Sequence, residues 1–346
     1  MKRLPRISIA ALAALILLAL AAIPRVARAW YDAEFASSPL YDYPVPHGRD
    51  NIVGNLITYQ IQKSDTLFDV GRWFGLSAKE VSDANNHMDV WTPPAGKTIV
   101  LPMEHILPAG PRVGIVVNIP EMRIYYYSPS PLGHYRYRNK LTPASLSDRR
   151  EYRGVVPRIV YTFPVGLGRF DWRTPITSFT VRAKEKDPTW VVPKDIYEEH
   201  LERDGEAVHV VQGGDPDNPE GLFRLDLTLP EYAIHGTNVP WGVGMEVSHG
   251  CVRLYPEDIE RLFHRVKVGT PGEFVYQPIK FGWRGDALYV EVHADLYGRY
   301  AGLWSHAQKM VDELGVGGDV DPQKLEKAIE EKTGVPTYVG AGAPPG

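Results

Sequence analysis

His235–Pro256 reads H-G-T-N-V-P-W-G-V-G-M-E-V-S-H-G-C-V-R-L-Y-P. It contains Cys251, the single cysteine of the 346-residue chain, and two histidines, His235 and His249, each followed by glycine. The thiolate is the attacking form of cysteine. A free cysteine titrates near ~8.5, so little of it is ionised at neutral pH. A histidine within hydrogen-bond reach raises that fraction and carries the proton. Glycines beside the sulfur let a carbonyl approach backbone N–H groups. One short segment therefore holds the parts of an acyl-transfer site. Two other readings stay open: a buried apolar cysteine with satisfied core histidines, and a zinc site from His235, His249 and Cys251, for which no fourth ligand is evident.

Outward from this stretch, strands dominate. Arg224–Leu227 and Tyr232–Ile234 read as strands that deliver His235 to a cleft edge. Pro256–Phe263 reads as a helix, with proline near its first turn and acidic residues after it. Gly114–Ile119 and Arg123–Tyr127 flank a Pro120-Glu121 turn, as in a hairpin. Val156–Val165 is strand-like and runs into Gly166-Leu167-Gly168-Arg169, then Trp172-Arg173-Thr174-Pro175 and Phe179-Thr180-Val181. Such glycines and Thr-Pro mark places where backbone passes close to something. Asp187–Pro193 reads as a turn leading into a helix near Lys194 or Asp195, and Thr270–Tyr276 as a last strand. Thirty prolines and nineteen tyrosines fit a β- and loop-rich body.

Ser248-His249-Gly250-Cys251-Val252-Arg253, preceded by Ile234-His235-Gly236-Thr237, closely resembles the signature of the L,D-transpeptidases with a YkuD-type catalytic domain. The resemblance extends over residues 112–277 and includes the V-G-x-G-R…T-P stretch and Asp187–Pro193. It implies a mainly β catalytic domain, a YkuD-like β-sandwich, and a ping-pong acyl transfer on peptidoglycan stem peptides without metal or cofactor. By the same resemblance, Cys251 is the nucleophile and His235 the proton donor and acceptor. His249 and the backbone N–H groups near Gly250 and Cys251 fall where oxyanion stabilisation is expected. Arg253, Gly236, Ser248, Trp172 and Tyr232 become candidate substrate contacts, with Trp241 a further candidate for the cleft wall. For Arg253 a structural ion pair, and for the aromatics ordinary core packing, are equally open.

Residues 57–103 form a separate module. Ile57–Ile61 alternates as a strand, Leu67, Val70, Gly71 and Phe74 recur with helical period, and Ser77 with Glu80 makes a capping box. Thr98–Leu101 returns as a strand, giving β-α-α-β. Tyr59, Asp65-Thr66-Leu67, Phe74, Leu76-Ser77, Ala84-Asn85, Gly96 and Ile99–Pro102 resemble the LysM module, which implies binding to peptidoglycan glycan. His87–Pro94 is bulkier than that pattern. Residues 278–338, with a strand at Ala287–His293 and helices near Ala301–Leu314 and Pro322–Lys332, resemble a small α+β C-terminal extension of Gram-negative members. The whole arrangement leans toward the ErfK/YbiS group, so an outer-membrane lipoprotein joins diaminopimelate and water as a candidate acyl acceptor. Water would make the enzyme an L,D-carboxypeptidase, and a chain that only binds the wall is the remaining alternative.

At the N-terminus, Lys2, Arg3 and Arg6 precede an apolar run from Ile7 to Ile23, and Ala27-Arg28-Ala29 is a small-x-small pattern. Residues 1–29 read as a cleavable signal peptide with an uncleaved anchor as the alternative, placing the protein in the periplasm. Its removal takes away five basic residues and moves the net charge from −4 to −9. An acidic body does not suggest nucleic acid. A lone cysteine in an exported protein fits a reactive thiol better than a packing residue. Residues 30–56 read as a linker or an arm wrapping the body. Ser128–Arg153 is a polar, basic insertion, and 339–346 an unordered Gly/Ala/Pro tail.

Overall fold

Alternating apolar residues build a mainly β body, and the computed structural model describes residues 42–46, 48–128 and 159–342 of it. The expected leader, the basic insertion after Ser128 and residues 343–346 lie outside the described part. Nine strands form one mixed sheet, in the order 42–44, 159–164, 123–127, 114–118, 271–275, 178–186, 223–227, 233–235, 252–253. Two neighbour pairs are parallel, Gly114–Asn118 with Pro271–Val275 and Ala233–His235 with Val252–Arg253. The expected hairpin forms, with Gly114 opposite Tyr127 and Asn118 opposite Arg123.

The sheet changes partners along its longest strand, Ser178–Lys186. Ser178–Thr180 pair with Pro271–Glu273, whereas Val181–Lys186 pair with Phe223–Leu227 after a register shift between Val181 and Ala183. An extra residue on one strand bends and twists it. Ile115, Val117 and Phe274 from one half and Leu225, Leu227 and Ile234 from the other share one core. Ile259 and Leu262 of the helix Pro256–Arg265 complete it. Truncating a fully buried leucine such as Leu225 to alanine costs about 2–5 kcal/mol.

Residues 57–101 take the β-α-α-β order. Ile57–Gln60 pairs antiparallel with Thr98–Leu101, and between them lie α1 (Leu67–Trp73) and α2 (Ala78–Asp83). Thr66 caps α1, and Ser77 and Glu80 make the reciprocal capping box of α2. This module is bolted to the main sheet. Arg72 of α1 grips Glu257 with two hydrogen bonds of 2.8 and 2.7 Å, and buried Arg123 grips Glu80 at 2.9 and 2.6 Å.

Of the two readings of residues 30–56, the described part follows the arm along the body: Asp42–Pro44 adds an edge strand to the main sheet and Ile52–Gly54 pairs with Glu104–Ile106. Three-residue strands are too short to show a period. At the other end, Thr337–Gly340 closes an antiparallel sheet with Ile279–Arg284 and Ala287–Val292. Val339, placed by composition in an unordered tail, is fully buried. Helices Leu303–Leu314 and Pro322–Glu331 pack on this sheet through Ala307, Leu325 and Ile329.

Candidate active site

The close approaches marked by glycine are approaches to the Cys251 loop itself. Residues 166–169 thread through it: Gly166 exchanges two backbone hydrogen bonds with Arg253 (2.8 and 2.9 Å), Leu167 donates to Met245 and Arg169 donates to Ser248. A side chain on Gly168 would come 2.7 Å from the Cα of Gly250 and 2.1 Å from the Trp172 carbonyl, so only glycine fits. Buried Thr174 stitches the two segments, accepting from the Gly168 N–H at 3.1 Å and donating to the Gly250 carbonyl at 2.8 Å.

The turn that carries the sulfur is closed from inside. The Ser248 hydroxyl donates to the Cys251 carbonyl at 2.6 Å and accepts from the Gly250 N–H at 3.1 Å. Gly250 sits at φ +102°, and a Cβ there would meet the Tyr232 ring at 2.7 Å. Two expectations change here. Ser248 is buried with its hydroxyl already used, so it braces the turn instead of facing a ligand. The Gly250 N–H is likewise taken by Ser248 rather than offered to an oxyanion.

His235 ends the strand Ala233–His235 and stands opposite Arg253 in register, two residues beyond Cys251. Its ring is buried, and Nδ1 lies 2.8 Å from the Gly236 carbonyl. A carbonyl only accepts, so Nδ1 carries the proton and Nε2 is left as the basic nitrogen. Gly236 thus orients His235, and its own N–H goes to Phe223, so the glycine is committed to the scaffold and not to substrate. Burial, then the charges of Arg253 and Arg224, hold the imidazole down to about 3. Cys251 is half-buried, with Sγ 3.5 Å from the Glu231 carbonyl. Burial raises its thiol, against a backbone hydrogen bond from Ala233 and the nearby Arg224. At rest the thiol is therefore protonated and the imidazole neutral, not the partly ionised thiolate the sequence suggested.

His249 is placed differently. Its Nε2 lies 3.0 Å from Glu199 Oε2, and its ring meets the edge of Trp172 at 5.0 Å between centroids. Glu199 belongs to α3 (Lys194–Asp204) and is held by Arg169 through bonds of 2.9 and 2.6 Å. Those two bonds, and then His249, hold its carboxyl down to about 2. Neither Arg169 nor Glu199 was singled out as a site residue from sequence; one glutamate on an acidic helix carries no distinguishing pattern. Half-buried Tyr232 packs against Gly250, whereas Trp241, with Met245 and Val247, is exposed on the rim. Buried Arg253 Nε has no hydrogen-bond partner among the described residues. The grouping of metal-ligating side chains among the described residues is elsewhere, at His105, Glu121 and Glu291, and there the Lys280 ammonium already bonds both carboxylates.

A family model for the L,D-transpeptidase catalytic domain (YkuD) matches residues 112–274. The chain is 32% identical over 312 residues to a protein of Salmonella typhimurium described as a probable L,D-transpeptidase ErfK/SrfK, covering 87% of this chain and 92% of that one. It is 33% identical over 306 residues to the probable L,D-transpeptidase YbiS of Escherichia coli, covering 85% and 90%. It is 32% identical over 260 residues to the probable L,D-transpeptidase YcfS of the same organism, covering 73% of each. With the Ser248–Arg253 turn and His235 set in the matched domain, the chain belongs to the L,D-transpeptidase family and is an enzyme of that kind.

Proposed function

We propose that this enzyme transfers an acyl group from a peptidoglycan tetrapeptide stem to an amine through a thioester on Cys251. The observation that carries the reading is the register that sets His235 opposite Arg253, two residues beyond the half-buried Cys251, with the imidazole tautomer fixed by the Gly236 carbonyl. As Sγ adds to the carbonyl before the terminal D-alanine, its proton passes to His235 Nε2. The C–N bond then breaks, and the departing D-alanine amine takes that proton from the imidazolium. An acceptor amine adds to the thioester, gives its proton to His235, and expels the sulfur, which is reprotonated. The acceptor is the side-chain amine of diaminopimelate in a second stem, which makes a 3–3 cross-link, or a lysine of an outer-membrane lipoprotein. Removing a transition-state donor in such a site costs about 10²–10³ in rate.

The 57–101 module supplies glycan binding in this reading, as the LysM resemblance implies. Trp91 is 61% exposed and its ring lies 4.5 Å from that of Phe68, an aromatic surface suited to a sugar face. In this reading the leader-like residues 1–29 direct the enzyme to the periplasm.

The test is purified protein with disaccharide-tetrapeptides, with and without a lipoprotein C-terminal peptide, read by mass. Dimer, conjugate or tripeptide identifies diaminopimelate, lysine or water as acceptor. Cys251→Ala abolishes all three while binding to sacculi persists. Products that survive this substitution overturn the mechanism.

A further inference from the structure

The segment 187–217 leaves the main sheet between two of its strands and carries α3. It is closed on its own base. Trp190–Val191 pairs with Val210–Val211, Asn218 Nδ2 donates to the Pro188 carbonyl at 2.7 Å, and Tyr197 stacks on His209 at 4.1 Å. From this excursion one carboxylate, that of Glu199, reaches the imidazole two residues before the sulfur. A carboxylate accepts only, so His249 Nε2 must carry the proton in this contact. Burial lowers the pKa of His249 despite the nearby carboxylate, and the ring is a neutral donor rather than a cation. Arg169 binds both oxygens of Glu199 and also donates its backbone N–H to Ser248, at the other end of the same turn. The Trp172 ring stands nearly perpendicular to the same imidazole, 5.0 Å away between centroids.

We propose that Glu199 is a positioning residue of the transfer reaction, whose carboxylate, gripped by Arg169, fixes His249 as the Nε2–H tautomer and so holds the Gly250–Cys251 turn in its reactive conformation. The kinetic part rests on the reading of Cys251 as nucleophile; the tautomer does not. Glu199 Oε2 serves both Arg169 and His249, and Oε1 serves Arg169 alone. A glutamine therefore either keeps its oxygen on His249 and turns NH₂ to Arg169, or turns NH₂ to His249 Nε2, which must then become the acceptor. In the second orientation the ring proton moves to Nδ1.

The experiment uses the full-length protein with ¹⁵N-labelled histidine, as wild type, Glu199→Gln and Glu199→Ala. Long-range ¹H–¹⁵N correlation spectra read the His249 tautomer, assigned with His249→Gln. Wild type shows Nε2–H, Glu199→Ala shows a mixture, and the tautomer in Glu199→Gln reports which way the amide turns. On the tetrapeptide substrate kcat falls about tenfold or more wherever Nδ1–H appears, with KM changed less than twofold. Glu199 is partly exposed, and the isosteric Gln variant keeps the helix contact should the Ala variant melt early. A Glu199→Ala protein that keeps Nε2–H alone, or either variant that shows Nδ1–H with kcat intact or Nε2–H with kcat lost, overturns the proposal. A wild type with the expected tautomer and no transfer product sinks the functional reading instead.

Discussion

The buried charges around Lys280 and those around Cys251 are handled in opposite ways. The Lys280 ammonium lies 2.7 Å from the Ile106 carbonyl, 2.8 Å from Glu121 and 2.7 Å from Glu291. Glu291 also takes the Ile106 N–H at 2.6 Å and His293 Nε2 at 2.7 Å; Glu121 takes Asn118 Nδ2 at 3.0 Å and the Tyr125 hydroxyl. The cluster joins the C-terminal sheet to the hairpin of the main sheet and the 104–106 strand. Around Cys251, by contrast, Arg253 Nε and Glu220 Oε2 are buried and find no partner among the described residues. Buried polar groups are normally satisfied, and each exception calls for a cause. Structural charges here are saturated by the fold; charges beside the sulfur are left with capacity for something that arrives later.

The contrast predicts that the two clusters break differently. Lys280→Met removes the ammonium between Glu121 and Glu291, and two carboxylates are then buried without it. Breaking such a pair costs about 3–5 kcal/mol. Urea unfolding should show a loss of this size, with KM unchanged in the protein that remains folded. A loss under about 1 kcal/mol would mean that the cluster is ornamental. Gly250→Val acts the other way. Its side chain must displace Tyr232 from a turn held at φ +102°, which shifts Cys251, and misplacement of a reacting group costs about 10²-fold in turnover. Acylation of Cys251 by a carbapenem, followed by intact mass, measures it; a tenth of the normal rate is already too much for this account. Arg253→Lys keeps the charge but deletes Nε. A hydrogen bond to a charged group is worth about 1.5–3 kcal/mol, so kcat/KM should fall roughly ten- to a hundredfold, mostly in KM. Lost stability with an unchanged KM would make Arg253 a structural ion and erase half of the comparison.

Sequence reached the two halves of this comparison unequally. His235 and Cys251 stood out because each sits in a run whose glycines have no reason to be there except close approach. The hairpin at Pro120 and the capping box at Ser77 were legible because their chemistry is local. The role of Thr174 was not, since a hydroxyl that bonds Gly168 and Gly250 at once draws on residues 6 and 76 positions away. The Lys280 cluster was invisible for the same reason. Its members come from five strands and the turn at Glu121, and each charged one alone reads as a surface charge. The strands 279–284 and 337–340 were missed because lysine, arginine and glycine within them mask the apolar residues that pack inward.

The subtlest difference between the clusters is in how they respond to pH. His235, held down to about 3 by burial and then by Arg253 and Arg224, stays neutral across the physiological range. The Cys251 thiol, raised by burial, keeps its proton there as well. The unfolded chain protonates this histidine near ~6.5, whereas the folded one does not until about 3. Stability contributed by neutral His235 is therefore lost as pH falls through that window, while the reacting pair keeps one charge state. Carbapenem acylation of Cys251 should accordingly vary less than about twofold between pH 5 and 8 apart from one neighbour. Glu220, pushed up to about 7 chiefly by burial, loses its proton inside that range and is coupled to the sulfur. Its ionisation adds negative charge near a developing thiolate, so any shallow step near 7 is downward with rising pH and disappears in Glu220→Gln. A tenfold rise per pH unit across the range would instead describe a thiolate formed in advance, and the neutral pair derived from the burial of His235 would have to be abandoned.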